Sequence, residues 1–507
     1  MAADRPSERP SASLFAETVA RPDEPDGQKR LTPRVGKTLF EPTGRIPRIR
    51  LENADYSSAR YRRSRVIAIV ESRADRASVH VCDQLRDLAD WETLEDGSRP
   101  DADGGGTYYR LESAELRSFE DFHLELESPV DAFDCDPDLL VFASRHSGDT
   151  GPLLTGHFTG NFGPAEFGGE PDAVADACPN ALARLLEAFD EHAPEGYDVG
   201  MECTHHGPTA VGCPSLFAEL GSDDEQWDDP AGAEAVARAI LDLRGVDPHQ
   251  RRQIVGFGGN HYAPRFERVV RETEWAVGHV AADWALEAMD HPTTHRDVLD
   301  AAFAASETEV ALVDGEWPVL EETLEDLGYR LVSETWLREV DDRPLESVDA
   351  VEADLGRIDD GIRFGDRRAD AFDVVDLPAE LVAAAQGIDP DRVREIVESN
   401  AVAFATENGG SRVGSRAAVP AADEAAARET IVAALAAVLE EKYDDVTVAD
   451  DAVVAERTAF DPELAREIGV PEGPKFGALA DGEPVTVDGE TVSPQRVRRQ
   501  QTDRFPK

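Results

Sequence analysis

The sequence predicts an α/β fold: a mixed, mainly parallel sheet flanked by helices, followed by a smaller α/β C-terminal domain. Two observations carry this prediction. Short β-branched apolar runs alternate with segments of helical period, the order that builds a largely parallel sheet covered by helices. Polar Gly- and Pro-rich turns close these runs, and two of those turns carry histidine. Of twelve histidines, eleven fall between His123 and His295, so the chemistry is expected there.

The elements follow in order. Residues 66–70, Val-Ile-Ala-Ile-Val, form a strand, the polar stretch 71–78 a turn, and Val79, Cys82, Leu85 and Leu88 the apolar stripe of a helix. Residues 139–144 read as a second buried strand, with Arg145-His146-Ser147-Gly148 at its C-terminal end, where open α/β sheets gather their ligand sites. Residues 181–189 are helical, 198–203 form a strand ending at a double histidine, 233–243 a helix, and 254–257 a strand running into a second histidine loop. After Gly315 histidine disappears, and Ala-rich helices such as 425–441 alternate with short Val-rich strands. Asn408-Gly409-Gly410-Ser411 reads as an internal loop, and Arg496, Arg498, Arg499, Arg504 and Lys507 form a terminal basic island. The expected division is therefore residues 1–65, 66–315 and 316–507.

Residues 1–65 stand apart, with 14 Lys and Arg against 9 Asp and Glu, many Pro and Ser, and no sustained periodicity. They are expected to be a disordered extension, either a basic arm or upstream sequence joined by a misassigned start. The whole chain carries 104 Asp and Glu against 51 Lys and Arg, a formal charge of −53, with only five lysines. This is the composition of a protein kept soluble in concentrated salt. Near ~1 M salt the Debye length falls to roughly 3 Å, so such acidity does not exclude a nucleic-acid partner. Cys82, Cys135, Cys178, Cys203 and Cys213 show no C-x-x-C spacing, which implies a reducing compartment without a disulfide frame. No apolar run is long enough for a bilayer and no signal-peptide core follows the N-terminal charges, so the expectation is a cytoplasmic protein without a membrane partner; a monomer is expected separately, nothing in the sequence fixing the oligomeric state.

The two histidine loops are the candidate site. His205 and His206 lie in Thr204-His205-His206-Gly207-Pro208-Thr209; adjacent residues of a straight strand face opposite ways, so the Gly-Pro turn must bring both to one centre. Imidazole can bind zinc or accept a proton from water. His261 follows Gly258-Gly259-Asn260, whose amides could approach an oxyanion or phosphate, and Arg265 lies four residues on. A tight turn that needs glycine for its geometry is the plainer reading of Gly258 and Gly259. His279, in Gly278-His279-Val280, reads by itself as a core histidine; His146 and His157 lie in polar, turn-rich settings. His80, His123, His192, His249, His291 and His295 read as surface or packing residues. Cys203 beside His205 could pair as a thiolate only in a positive setting. There is no G-x-S-x-G elbow, no Walker A loop and no G-x-G-x-x-G fingerprint, which leaves metal- or histidine-assisted hydrolysis.

Taken in order, residues 66–85, Ser144-Arg145-His146, Gly156-His157 with Thr159-Gly160-Asn161, the double-histidine run, His261-Tyr262-Ala263-Pro264-Arg265-Phe266 and Gly278-His279 resemble the archaeal and plant-type D-aminoacyl-tRNA deacylases. The resemblance covers about residues 66–315, and an ordered series is more specific than any single motif. It implies a phosphorylase- or peptidyl-tRNA-hydrolase-like fold, hydrolysis of the ester joining a D-amino acid to the 3′ end of tRNA, and zinc as the associated metal. Carried over residue by residue, it implies His206, His261 and Glu202 as catalytic groups, His205, His206, His261 and His279 as metal ligands, and Arg265, Gly258, Gly259 and His146 as substrate contacts. Shorter members span only the part between Val66 and Gly315, so the flanks are not covered. Residues 468–477 and 485–489 weakly resemble a stretch of the tRNA 3′-processing endonucleases of the metallo-β-lactamase class, which would make a tRNA-facing hairpin; a Gly-Pro-rich surface loop is the plainer reading. Two other functions compete: a phosphorylase-like or small-molecule hydrolase with phosphate in the Gly-Gly loop, and a noncatalytic protein whose histidines bind the unpaired end of tRNA.

Overall fold

The computed structural model describes residues 65–507; the expected N-terminal extension, apart from Arg65, lies outside the described residues. The first strand, β1 (Ile67–Ser72), is buried along its whole length and leads through Asp75 into α1 (Arg76–Leu88). Asp75 caps that helix by accepting from the amides of Ala77 and Ser78, at 2.9 and 3.4 Å, which satisfies donors a helix start leaves open. Three strands absent from the sequence reading come next, β2 (Glu92–Asp96), β3 (Gly106–Leu111) and β4 (Ala114–Phe119). Their polar, mixed composition hides them, because only β4 is buried throughout.

β5 (Leu139–Arg145), β6 (Leu153–His157), the short β7 (Gly160–Asn161) and β8 (Ala173–Val174), α2 (Pro179–His192), β9 (Asp198–Met201), β10 (Ser215–Gly221), α3 (Asp224–Trp227) and α4 (Pro230–Asp242) complete the first half. Eight strands form one sheet in the order β2-β3-β4-β1-β5-β10-β6-β9. β4, β1, β5 and β10 are parallel, whereas β6 runs antiparallel to β10 and takes β9 with it. One face packs Ile69, Val141, Leu216 and Ala218 against Val81, Leu85, Leu182 and Val236 of the helices. The opposite face carries Val70, Phe142 and Phe217.

β11 (Gln253–Gly258), α5 (Pro264–Glu272), β12 (Ala276–Ala281), β13 (Val310–Asp314) and β14 (Arg330–Leu331) build a second, fully parallel sheet in the order β12-β11-β13-β14. β14 lies beyond Gly315, so the chain passes the expected boundary without leaving this sheet, and the main core continues through Trp336, Leu337, Val351 and Ile358.

The remainder contains two antiparallel sheets. β15 (Ile362–Phe364), β16 (Phe372–Asp376), β17 (Ala403–Glu407) and β18 (Arg412–Pro420) form one, and residues 408–411 are the turn joining β17 to β18. β19 (Asp445–Val448), β20 (Ala452–Phe460) and, after the hairpin β21 (Val485–Val487) with β22 (Glu490–Val492), the last strand β23 (Arg498–Pro506) form the other. The helix expected at 425–441 is Glu424–Leu439. Among the described residues no helix is long and apolar enough to cross a membrane.

Candidate active site

The site lies across a face of the large sheet. Phe217, Glu219 and Gly221 alternate along β10 and share that face. Opposite them, the strand ends of β5, β6 and β9 and the loop after β11 supply the polar groups. His146 follows β5, His157 ends β6, and Glu202 opens the segment after β9 that carries Cys203, Thr204, His205 and His206. Because β6 and β9 run against β5 and β10, these strand ends face each other along β10. Gly221 has no room for a side chain: a Cβ there would come within 2.6 Å of the His146 Cβ.

The double-histidine segment is stitched to the second sheet. The amide of Thr204 donates to the Val280 carbonyl at 2.8 Å, and that of Cys203 to the His261 carbonyl at 2.8 Å. His206 itself adopts a left-handed backbone, with φ of 46°, which brings its ring to the same side as that of His205. The two ring centroids lie 4.4 Å apart, and His157 lies 4.2 Å from His205 and 4.8 Å from His206.

Hydrogen bonds fix the tautomers. His157, His205 and His206 each have Nδ1 against a backbone carbonyl, of Phe158 at 3.0 Å, Cys203 at 2.8 Å and Gly207 at 2.7 Å. A carbonyl only accepts, so each Nδ1 is an N–H; Nε2 of His205 and of His206 presents a lone pair, while Nε2 of His157 faces the Glu219 carboxylate, which opposes burial and pushes the His157 pKa up. His146 follows the same rule: the Ser222 hydroxyl donates to the Gly151 carbonyl at 2.8 Å and accepts from His146 Nδ1 at 3.0 Å. The ligand atoms of His157, His205 and His206 all lie within 4.8 Å of one another.

Charge is divided within the cluster. Glu202 is buried and accepts a 2.7 Å hydrogen bond from His261 Nε2. Burial alone would raise its carboxyl pKa, but the His261 bond and the nearby His205, His157 and His146 hold it well below the usual range. Burial opposes charge on His261 too, yet Cys203 Sγ, 3.5 Å from its Nδ1, and Glu202 push it up to about 10. Glu202 and His261 are therefore a carboxylate–imidazolium pair. His205 and His206 are pushed the other way, by burial first and then by His157, and stay neutral. The second carboxylate, Glu219, is buried 3.5 Å from His157 Nε2 and accepts from Ser144 Oγ at 3.1 Å.

Within the cluster, Nε2 of His157 and Oε1 of Glu202 are among the buried atoms that have no hydrogen-bond partner. The lone pairs of His205 and His206 converge with the orphaned Nε2 of His157, where a cation would take the place of a proton, so this set fits a metal ion such as zinc. Their Nδ1–H bonds to carbonyls are the outer support that ligating histidines use.

This differs from the sequence reading in four places. His279 cannot be a ligand, since its Nε2–H donates to the Ala175 carbonyl at 2.8 Å and its Nδ1 accepts from Thr204 Oγ1 at 2.9 Å; burial pushes it down to about 4, and it anchors the double-histidine segment. His157 joins the candidate ligands, and His261, whose Nε2 is hydrogen-bonded to Glu202, belongs to a second candidate set with Cys203 and His205, their ligand atoms also within 4.8 Å of one another. The Gly259 amide donates to Asp283 Oδ1 at 2.9 Å and is not open to an oxyanion. Gly258 meets the plainer reading: φ is 88°, and a Cβ would lie 1.9 Å from the Asp314 carbonyl oxygen. Arg265 donates to Asp314 at 3.0 Å and to Glu334 at 3.3 Å, and lines a separate cavity of about 420 Å³ with Ser333, Asp359 and Arg363. His205, His206, His261, Glu202 and His146 do come together. Glu219 was missed with its strand, although a lone Glu inside Leu216-Phe217-Ala218-Glu219-Leu220 was the available signal.

A buried carboxylate–imidazolium pair beside the neutral imidazoles of His205 and His206 is a group set suited to hydrolysis, carried on an α/β scaffold. The comparisons with known proteins place it further. The family model described as D-aminoacyl-tRNA deacylase matches residues 133–332. The chain is 54% identical over 477 residues to a D-aminoacyl-tRNA deacylase of Halorubrum lacusprofundi, covering 87% of this chain and 97% of that one. It is 55% identical over 443 residues to the enzyme of the same name from Natronomonas pharaonis, covering 87% of this chain and all of its relative. A crystal structure of a conserved protein of unknown function aligns at 28% identity with a TM-score of 0.49, covering 54% of this chain and 97% of that one. The chain belongs to the D-aminoacyl-tRNA deacylase family.

Proposed function

We propose that this protein hydrolyses the ester bond of D-aminoacyl-tRNA, releasing tRNA and the D-amino acid, and that the cluster over β10 is where it does so. The observation that carries the assignment of the site is the orphaned Oε1 of Glu202, a buried carboxylate oxygen with no partner beside a protonated imidazole. That atom accepts a hydrogen bond from the attacking water and orients it, and the Glu202–His261 pair takes up the water's proton as His261 gives its own to the leaving oxygen. His261 holds a proton that can be delivered to the departing ribose oxygen, and Glu202 Oε2 keeps that proton in place. His146, whose Nε2 lies 3.8 Å from Glu202 Oε1, borders the same space and is the substrate contact. Positioned acid–base groups of this type contribute roughly 10² to 10⁴-fold, enough for a substrate ester that is already labile.

His157, His205 and His206 are the residues that would hold zinc. A zinc ion there supplies Lewis acidity toward a carbonyl oxygen or water. The cytoplasm is the compartment in which this substrate and five unpaired thiols belong. Residues beyond the second sheet contact the body of the tRNA; in support, the last fifteen residues hold five cations and one carboxylate within a chain of charge −53.

The test is release of amino acid from D-tyrosyl-tRNA and L-tyrosyl-tRNA in molar KCl, with and without chelator. Release selective for the D form is expected. Equal release of both, or none from folded protein, would overturn the assignment.

A further inference from the structure

The exposed aromatic side chains among the described residues are Phe167, Tyr262 and Trp284, and each is joined to the walls of the histidine cluster. The Phe167 carbonyl accepts from the Gly207 amide, directly after His206, at 2.9 Å. Tyr262 follows His261, and its hydroxyl lies 3.4 Å from His146 Nε2. Trp284 follows Asp283, which is clasped to Gly259 twice: the Asp283 amide donates to the Gly259 carbonyl at 2.8 Å, and the Gly259 amide returns to Asp283 Oδ1 at 2.9 Å. Elsewhere on the described surface the aromatics are at least partly covered, so their exposure is concentrated at this mouth. Phe167 already has a contact of its own, and the inference rests on the other two.

We infer that Tyr262 and Trp284 form a stacking platform for the unpaired 3′-terminal nucleotides of the RNA substrate, beside the cluster that cleaves its ester. This rests on the functional reading above and adds how the end of the substrate is seated. Every base offers a face to an aromatic ring, and single-stranded RNA ends are held this way. The charge of the chain gives the second reason. With −53 formal charges and salt screening beyond roughly 3 Å, long-range attraction of phosphates is not available to this protein, whereas stacking is indifferent to screening. Trp284 is 48% exposed and Tyr262 36%, enough to offer ring surface while the clasp ties the start of the helix Asp283–Met289 to the loop that carries Tyr262.

The experiment is binding of an unacylated RNA hairpin carrying an unpaired 3′ tail, compared with the same hairpin cut blunt, to the full chain in molar KCl. Fluorescence anisotropy measures affinity, and indole quenching reports contact. Trp284→Ala and Tyr262→Ala are each expected to weaken the tailed hairpin by about 5- to 100-fold, with Trp284→Phe and Tyr262→Phe retaining most of the affinity. The tail-dependent quenching should vanish in Trp284→Ala. Wild-type affinity in the Ala variants would overturn the inference, as would Phe variants as weak as Ala, or equal losses for the tailed and blunt hairpins. The two readings fail separately. Tail binding that depends on the rings in a protein that hydrolyses no D-aminoacyl-tRNA would sink the function and keep the platform; turnover with tail binding indifferent to the rings would do the reverse.

Discussion

Two polar pockets in this protein are built from similar side chains and end differently. In the cavity beside Arg265 the charges at its heart are met: Arg265 by Asp314 and Glu334, Arg363 by the Ile358 carbonyl at 3.0 Å, and Asp359 by the Ser333 hydroxyl. In the cluster over β10, Glu202 Oε1 and His157 Nε2 are buried and unmet. A fold seldom tolerates such atoms, because each costs about 1–3 kcal/mol of desolvation. The contrast separates a pocket that holds the structure together from one kept open for a reactant.

Substitutions can break that contrast. Glu202→Gln keeps the shape but removes the negative charge, and is expected to lower kcat for D-tyrosyl-tRNA by about 10³-fold, near 4 kcal/mol of transition-state stabilisation. Amino-acid release under single-turnover conditions measures it; a loss below tenfold would leave the orphan oxygen without a role. His157→Ala should cost roughly 10² to 10³-fold and, in elemental analysis after dialysis, leave less zinc than wild type. Zinc retained at the wild-type level would move the metal site elsewhere. On the other side of the comparison, Gly258→Ala drives a methyl into the Asp314 carbonyl at a positive φ, so thermal melting should show a loss of about 2–4 kcal/mol.

Smaller effects sharpen the picture. Reversing Arg496 and Arg498 together to Glu should raise KM for tRNA by about 3- to 10-fold, with a shallower salt dependence than wild type. A KM indifferent to both charges would remove the C-terminal contact. The least effect concerns Glu334, whose carboxyl is held at about 2 by Arg268 first and Arg338 next. A folded pKa below the unfolded one gives stability that is present above about 4.5 and lost as pH falls toward 2. Because its arginine partners are largely exposed, Glu334→Gln should cost no more than about 1 kcal/mol at neutral pH, and less as acid protonates the wild type. Denaturant titrations at several pH values would reveal a reversed slope.

The alternation of strands and helices was legible because buried strands such as β1, β5 and β11 are continuous apolar runs. β2 to β4 were not, since half-exposed strands carry charged residues and lose the apolar signature. Within the site, His205, His206 and His261 were found through their Gly-Pro and Gly-Gly turns. Glu219 was invisible because its strand was, and His157 was underweighted because its place among the candidate ligands depends on the fold, which brings the end of β6 beside His205 and His206. His279 shows the converse: the motif order singled it out as a ligand, but both its nitrogens are used in hydrogen bonds to the Ala175 carbonyl and to Thr204 Oγ1. Spacing along a chain reports that a residue matters more readily than it reports which atom faces the reactant.

The burial of Glu202 has a consequence for how such a chain can diverge. A carboxylate only 2% exposed is kept out of reach of the ions that crowd the acidic exterior, so its field changes little with the brine outside. Lineages moving between fresh and saturated water could rewrite nearly all their surface residues while the chemistry stayed still.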